Sequence, residues 1–424
     1  MNGRTAAILV VILVALIAAV VLTSPKAGGT GVGRVVPLVD VPASQIGGVS
    51  VTDAEGHTVT VSGDPAWDGW MVREEREGAE ESVWPASETT RSAGVRVLGN
   101  ATYSTAPRQT LHASDRTEVT IRSVEGRRLV VFGYNQNHAL GGKVPAWVIP
   151  QTDAQIEREL ANFLSLESLL AWRDSAVLPG LDAGAVTISI DREGDLLSLR
   201  RVGSSWGVEL PVVEPADGTR VQEILDGLVA ARSERFVEDK PEREIVTLMV
   251  EAGPSGDRRR YTAVIDTSSL VADVMLFKTD GETTSQVARA SMRVPAEFVA
   301  LLDLDVTDVV SRVSVSTPAS EVAALTLGWS GRELARTSSG WATSEDESAA
   351  ESWLDLLTKR VADEVALSAG EAEEVGTIEL AGFGDLVMGS LRVGVGDGML
   401  WVARDRVWRG YRAQDDDLVR LGVR

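Results

Sequence analysis

The sequence predicts an α+β fold, with an N-terminal transmembrane helix followed by three tandem repeats of a mostly antiparallel sheet with packed helices. Three observations carry that expectation. The stretch Thr317-Pro-Ala-Ser-Glu-Val-Ala-Ala-Leu-Thr-Leu327 recurs almost letter for letter as Val41-Pro-Ala-Ser-Gln-Ile-Gly-Gly-Val-Ser-Val51, with a looser copy, Leu181-Asp-Ala-Gly-Ala-Val-Thr-Ile-Ser-Ile190, between them. Each copy ends in a strand-like pattern and is followed by a Trp, at Trp70, Trp206 and Trp341. An uninterrupted apolar run from Ala6 to Leu22 precedes them all. Taking Val49, Ile188 and Leu325 as equivalent sets the units roughly 140 residues apart, an ordinary domain size.

The apolar run comes first. At about 1.5 Å per residue it is roughly 26 Å long as a helix, within the range of single membrane spans. Pro25 and Lys26 stand where a cleavable leader would have its small-residue site, so an uncleaved signal-anchor is expected. Arg4 on the short side holds residues 1–5 in the cytoplasm by the positive-inside rule, residues 6–23 span the bilayer, and the bulk of the chain lies outside. Residues 24–40 are Gly-rich and read as a flexible linker.

Repeat unit 1 covers 41–175. Alternating patterns predict strands at Gly48 to Thr52, Thr58 to Ser62 and Gly69 to Arg73, then at Glu118 to Arg122, Arg128 to Phe132 and Ala146 to Ile149. After Pro150, the spacing of Ile156, Leu160, Phe163, Leu164, Leu169 and Leu170 predicts a long amphipathic helix with Asp153 as its N-cap. Unit 2, 176–312, repeats the order: strands at Val186 to Ile190, Leu196 to Arg200 and Trp206 to Leu210, then a helix begun by Asp217 with Val221, Ile224, Leu225 and Leu228 on one face. Four strands follow, at Glu244 to Glu251, Arg259 to Ile265, Val274 to Lys278 and Gln286 to Met292, and Pro295 takes the first position of a short helix. Unit 3, 313–424, opens with strands at Ala323 to Gly328, Glu333 to Arg336 and Trp341 to Thr343. Its helix starts at a capping box, Ser344-x-x-Glu347, with Trp353, Leu354, Leu357 and Val361 inward. Strands at Thr377 to Leu380, Leu391 to Val395, Met399 to Ala403 and Val407 to Tyr411 close it.

Composition narrows the function. A formal charge of −21 argues against nucleic acid and favours basic partners by steering. With no Cys, disulfides, thiolate metal sites and Cys nucleophiles are excluded. Gly203-Ser204-Ser205-Trp206-Gly207 matches the G-x-S-x-G pattern that presents a nucleophilic serine on a strand-to-helix elbow, but no helix follows Ser205, and the repeat casts it as a turn residue before a Trp-bearing strand. His57, His112 and His138 are not at metal-ligand spacing. The acidic groups Asp303-x-Asp305-x-x-Asp308, Glu345-Asp346-Glu347 and Asp415-Asp416-Asp417 lack the Gly and terminal Glu of a Ca²⁺ loop and suit helix starts. Gly394-Val-Gly-Asp-Gly398 reads as a hairpin turn, and the recurring Trp70, Trp206 and Trp341 as core anchors. No catalytic, cofactor-binding or metal-binding residue is therefore assigned, and no cofactor is expected.

Unit 2 also carries the strings Gly-Asp-Leu-Leu-Ser-Leu-Arg-Arg, Ser-Ser-Trp-Gly-Val and Asp-Gly-Thr-Arg-Val-Gln-Glu-Ile-Leu-Asp-Gly-Leu before Arg235-Phe236-Val237. Behind an N-terminal span, this pattern resembles the bacterial membrane-anchored family labelled domain of unknown function 4340, best over residues 176 to 300, less over 313 to 424 and least over 41 to 150. The resemblance implies company rather than chemistry: such proteins are often encoded beside ABC transporters of the gliding-motility or auxiliary type. It implies a non-enzymatic, membrane-anchored extracytoplasmic accessory or scaffold, with the bilayer and an ABC permease, ATPase or auxiliary subunit as partners. An independent binding module for an envelope polymer is the alternative.

Overall fold

The computed structural model describes residues 35–105, 117–134, 143–148, 152–254, 257–337, 340–384 and 386–423. Strands take 48% of the described residues and helices 21%, so the expected α+β class is corrected to mostly β. The proposed span 6–23 lies outside the described residues, and among those described no helix is long and apolar enough to cross a membrane. The expectation of a transmembrane helix ahead of the repeats is withdrawn with the class.

The first stretch begins with a short strand, β1 (Val35–Pro37), then a meander of β2 (Ile46–Thr52), β3 (Thr58–Asp64), β4 (Gly69–Glu75) and β5 (Ser82–Pro85). Helix α1 (Glu88–Asn100) and β6 (Thr102–Thr105) lead to a second meander, β7 (Thr117–Ser123), β8 (Arg128–Tyr134), β9 (Lys143–Val148) and β10 (Thr152–Glu157), closed by α2 (Arg158–Phe163) and α3 (Leu166–Leu170). Across the sheet the order is β5-β4-β3-β2-β7-β8-β9-β10-β6, antiparallel throughout, with β1 outside β6. Residues 35–37 are thus an edge strand, and Leu38 and Val39 are buried, so the flexible linker does not extend to residue 40.

The second stretch repeats the plan with β11 (Ala185–Arg192), β12 (Asp195–Val202), β13 (Ser205–Leu210), β14 (Glu214–Pro215), α4 (Gly218–Ala230), β15 (Arg235–Phe236), β16 (Ile245–Ala252), β17 (Asp257–Asp266), β18 (Val271–Asp280) and β19 (Thr283–Arg293), then α5 (Ala296–Ala300) and α6 (Val306–Val309). Its strand order, β14-β13-β12-β11-β16-β17-β18-β19-β15, is the same as the first. The third stretch has β20 (Val322–Leu327), β21 (Arg332–Thr337), β22 (Gly340–Trp341), α7 (Ser344–Thr358), β23 (Glu364–Ala366), β24 (Glu373–Gly382), β25 (Leu386–Gly396), β26 (Met399–Arg404), β27 (Val407–Arg412) and α8 (Asp415–Arg420). The order is β22-β21-β20-β24-β25-β26-β27-β23, the same plan without a counterpart of β5 and β14.

One irregularity recurs in register. The pairing of the first meander with the second slips between Ile46 and Gly48, between Ala185 and Thr187, and between Val322 and Ala324. A bulge of this kind bends the strand and raises its twist. In the first copy the extra residue is Gly47, where an added Cβ would lie 2.4 Å from the Ser123 carbonyl oxygen.

Alternation places one face of each sheet against its helix. Val49, Ile121, Phe132 and Leu98 centre the first core, and Leu325, Leu334, Trp353 and Leu391 the third. The second contains Ile188, Leu225, Val250 and Ile265, and it also takes in Met71 and Trp84 from the first stretch and Val407 from the third. The first two stretches share one sheet, because Val83 of β5 pairs with Arg289 of β19, whereas the third has its own.

Helix α4 matches its sequence: the Asp217 carboxylate accepts from the Thr219 and Arg220 amides, and Val221, Ile224, Leu225 and Leu228 are buried. Several other expectations are corrected. Asp153 lies in β10, not at a helix start; Ile156 ends a strand, and the expected long helix breaks at Ser165, whose hydroxyl accepts from the Ser168 amide and starts α3. Helix α1, with only Gly94 and Leu98 buried, carried too weak an apolar stripe to be read. Pro295 caps α5 rather than entering it. The α7 cap is Thr343, accepting from the Asp346 amide at 3.0 Å, and Val361 lies beyond the helix, 59% exposed. Of the recurring tryptophans only Trp206 is buried; the fully enclosed tryptophans among the described side chains are Trp84, Trp172 and Trp353.

Candidate functional site

Each joint between stretches is built from the residues that precede a helix. In the first, the Ser87 amide donates to the Trp172 carbonyl and the Asp174 amide to that of Pro85, both at 2.8 Å, bracketing an Ala86–Arg173 bridge. In the second, the Asp217 amide donates to Val309 at 2.7 Å and the Ser311 amide to Pro215 at 2.8 Å, around Ala216–Val310. The sequences Trp84-Pro-Ala-Ser87 and Glu214-Pro-Ala-Asp217 therefore fill one structural role. They differ at the residue that enters the next stretch. Trp84 meets Phe236, which faces Met292 across β15 and β19, with ring centroids 6.0 Å apart. Glu214 meets Arg409, which faces Val365 across β23 and β27, with Nη2 donating to Oε2 at 2.9 Å.

Around the first joint lies an ion-pair network. Arg289 holds Asp273 through three hydrogen bonds of 2.7 to 3.1 Å and also binds Glu80, which accepts from Lys240 at 2.6 Å. Arg76 pairs with Glu238 across the joint. The hydrogen bond from Lys240, then the charge of Arg289, holds the Glu80 carboxyl below its ordinary value. Deeper, burial works to raise Glu74, but the Arg173 guanidinium at 2.7 Å and the His57 ring at 2.9 Å outweigh it and lower the carboxyl. These groups, His57 apart, line a cleft of about 690 Å³ whose charges are largely neutralised by one another.

The second joint has no comparable network among the described residues. Its ionic contact is Arg409–Glu214, both side chains fully enclosed, with Arg409 Nε also donating to the Ser311 carbonyl at 2.9 Å. Among the described residues Arg409 Nη1 and Glu214 Oε1 find no hydrogen-bond partner. Burial raises Glu214 above the usual carboxylate value against the opposing pull of Arg409.

Beside this joint opens the larger cleft, about 920 Å³, in the size range of ligand sites. Leu196 of β12 and Ile245 of β16, partly exposed on one face of the sheet, form its floor, and the buried Leu197, Val246, Leu304 and Val306 border it from the second core. Leu210 and, from the third stretch, Leu367 are 46% and 51% exposed at its walls. The rim carries Glu193, Asp195, Glu244 and Asp305. Its Arg192 is already bound to Asp303 at 2.7 Å and to the Leu304 carbonyl.

Ser205 follows the two-residue turn Gly203-Ser204 between β12 and β13, pairs with Val202, and is exposed with a strand after it, so the elbow geometry is absent. His57 is engaged by Glu74; His112 and His138 lie outside the described residues. Asp308 accepts from the Asp305 amide at 2.8 Å and Asp417 from the Gln414 amide at 3.1 Å, placing both acidic runs at helix starts. Asp346 is held by Thr343 and Arg332. Asp397-Gly398, both with positive φ, make the turn between β25 and β26. No group of three or more potential metal ligands occurs among the described residues. Nothing local in the sequence marks Arg173, Glu214, Arg289 or Arg409, because an isolated charged residue carries no sign of a partner distant in the chain.

Compared with known family models and with curated proteins, the chain matches none of them.

Proposed function

We propose that the protein is a non-enzymatic extracytoplasmic accessory or scaffold component of an ABC-type transport system. The observation that carries this reading is the recurrence of one strand order three times, with joints closed by side chains that occupy equivalent positions, so that successive units present their surfaces in a defined sequence. The resemblance described above supplies the transporter association. The β-rich, cysteine-free body is compatible with a periplasmic or extracellular location. A tagged chain expressed from its own locus should co-purify with a permease and an ATPase; isolation of the chain without them would refute the assignment. The second reading, an independent extracytoplasmic binding module, is favoured by the large apolar-floored cleft, and it predicts ligand binding by the isolated chain with no transporter attached.

A further inference from the structure

We infer that the cleft beside the second joint receives a basic, amphipathic segment of a partner protein. The inference takes up the scaffold reading, on which it rests for supposing a protein partner, and names the chemistry of the segment bound.

Two independent features of the cleft define its occupant. The floor and walls are apolar, and Leu210 and Leu367 remain about half exposed although they belong to different stretches and border the same space. Leaving two large aliphatic side chains in water forgoes burial that an apolar face of a ligand would restore. The rim is acidic and largely uncompensated: among the described residues Glu193, Asp195 and Glu244 have no basic partner, the Glu244 carboxylate accepting from the Thr267 hydroxyl at 3.2 Å, and the rim cation Arg192 is shared between Asp303, Asp305 at 3.6 Å and the Leu304 carbonyl. A neutral lipid would satisfy the floor and leave the carboxylates idle. An acidic segment would be repelled by them, and the formal charge of −21 reinforces that repulsion at longer range. A segment with Leu-like residues on one face and Lys or Arg flanking them satisfies both, as in the groove-binding mode of amphipathic peptides. The cleft at the first joint offers no such site, since its carboxylates are already bound to Arg76, Lys240, Arg173 and Arg289.

The test uses the full chain and a fluorescent 18-residue peptide of leucine and lysine patterned as an amphipathic helix, followed by anisotropy. A peptide with glutamate for lysine and one with the same composition scrambled serve as controls. Binding should be lost with glutamate, weaken about tenfold or more with Leu367→Asp, and weaken by a similar factor with the pair Glu193→Lys and Asp195→Lys. It should be unchanged by Asp415→Lys and Asp416→Lys, which alter the same net charge at a distant helix start. Equal binding of the glutamate or scrambled peptide, equal loss from the distant pair, or no binding at all would overturn the inference. Failure here with successful co-purification of a permease and ATPase removes this site alone; peptide binding without co-purification removes the transporter association alone.

Discussion

Replacing Arg409 by Met probes the second joint most sharply. The substitution keeps much of the aliphatic volume but deletes the 2.9 Å bond to Glu214 and the 2.9 Å bond to the Ser311 carbonyl, leaving a carboxylate that is 3% exposed without a partner. Breaking a buried pair from one side costs about 3 to 5 kcal/mol. The protein can limit that cost by neutralising Glu214: from an ordinary value of 4.5, protonation at pH 7 costs about 3.4 kcal/mol at 1.36 kcal/mol per unit. We therefore predict a loss of about 3 to 3.5 kcal/mol at pH 7, read by urea denaturation of the intact chain. The sign with pH follows. A carboxyl whose folded value is raised is stable in its neutral form below the unfolded value and penalises the fold as pH rises toward the folded one, so the Arg409→Met deficit should shrink as pH falls toward 4.5. The double variant Arg409→Met with Glu214→Leu should recover most of the loss, because the first joint shows the same position working with Trp84, Phe236 and Met292. Additive single and double effects, or a deficit independent of pH, would refute the reasoning.

The other predictions concern the first joint, the loop at residues 241–244 and the serine motif. Trp84→Ala empties a fully enclosed site whose indole donates to the Asp174 carbonyl at 2.9 Å, and should cost about 3 to 5 kcal/mol while uncoupling the first stretch from the second in calorimetry; a single unshifted transition would count against it. Asp266, 4% exposed, accepts from Ser268 through both amide and hydroxyl and from the Ser269, Arg243 and Glu242 amides, which lower its carboxyl. Its stabilisation is therefore present above the ordinary value and fades as pH falls, so Asp266→Asn should be about 1 to 3 kcal/mol less stable at neutral pH and approach the parent below about pH 4; a constant gap across that range would contradict this. Ser205→Ala should change stability by less than about 0.5 kcal/mol and leave partner binding intact, as for other exposed turn positions; loss of binding at unchanged stability would reinstate the serine.

Much of the strand plan was legible because period-two alternation survives in Ile188, Ile190, Leu197 and Leu199, and because Asp217 announces its helix directly. The misreadings have local causes. Ile156, Leu160 and Leu164 kept helical spacing across a strand end and a short helix, so periodicity ran through a boundary that backbone pairing to β9 decided. Trp341 has the letter of a core residue, but it is only partly buried, its ring covered by the Arg336 guanidinium at 4.9 Å. The joints were illegible for another reason. Glu214 and Arg409 are 195 positions apart, and neither departs locally from an ordinary strand residue.

The shared sheet of the first two stretches and the separate sheet of the third set a mechanical order. Tension applied between the ends would cross the first joint through Trp84, the Val83–Arg289 pairing and several ion pairs. At the second it would cross through the backbone near Ser311, the docking of Val407 and one enclosed ion pair. Under load the second joint should part first, lengthening the chain while each unit keeps its own hydrogen bonds. A force–extension trace would then begin with one small step ahead of the larger unfolding events, and Arg409→Met would abolish that step without moving the others.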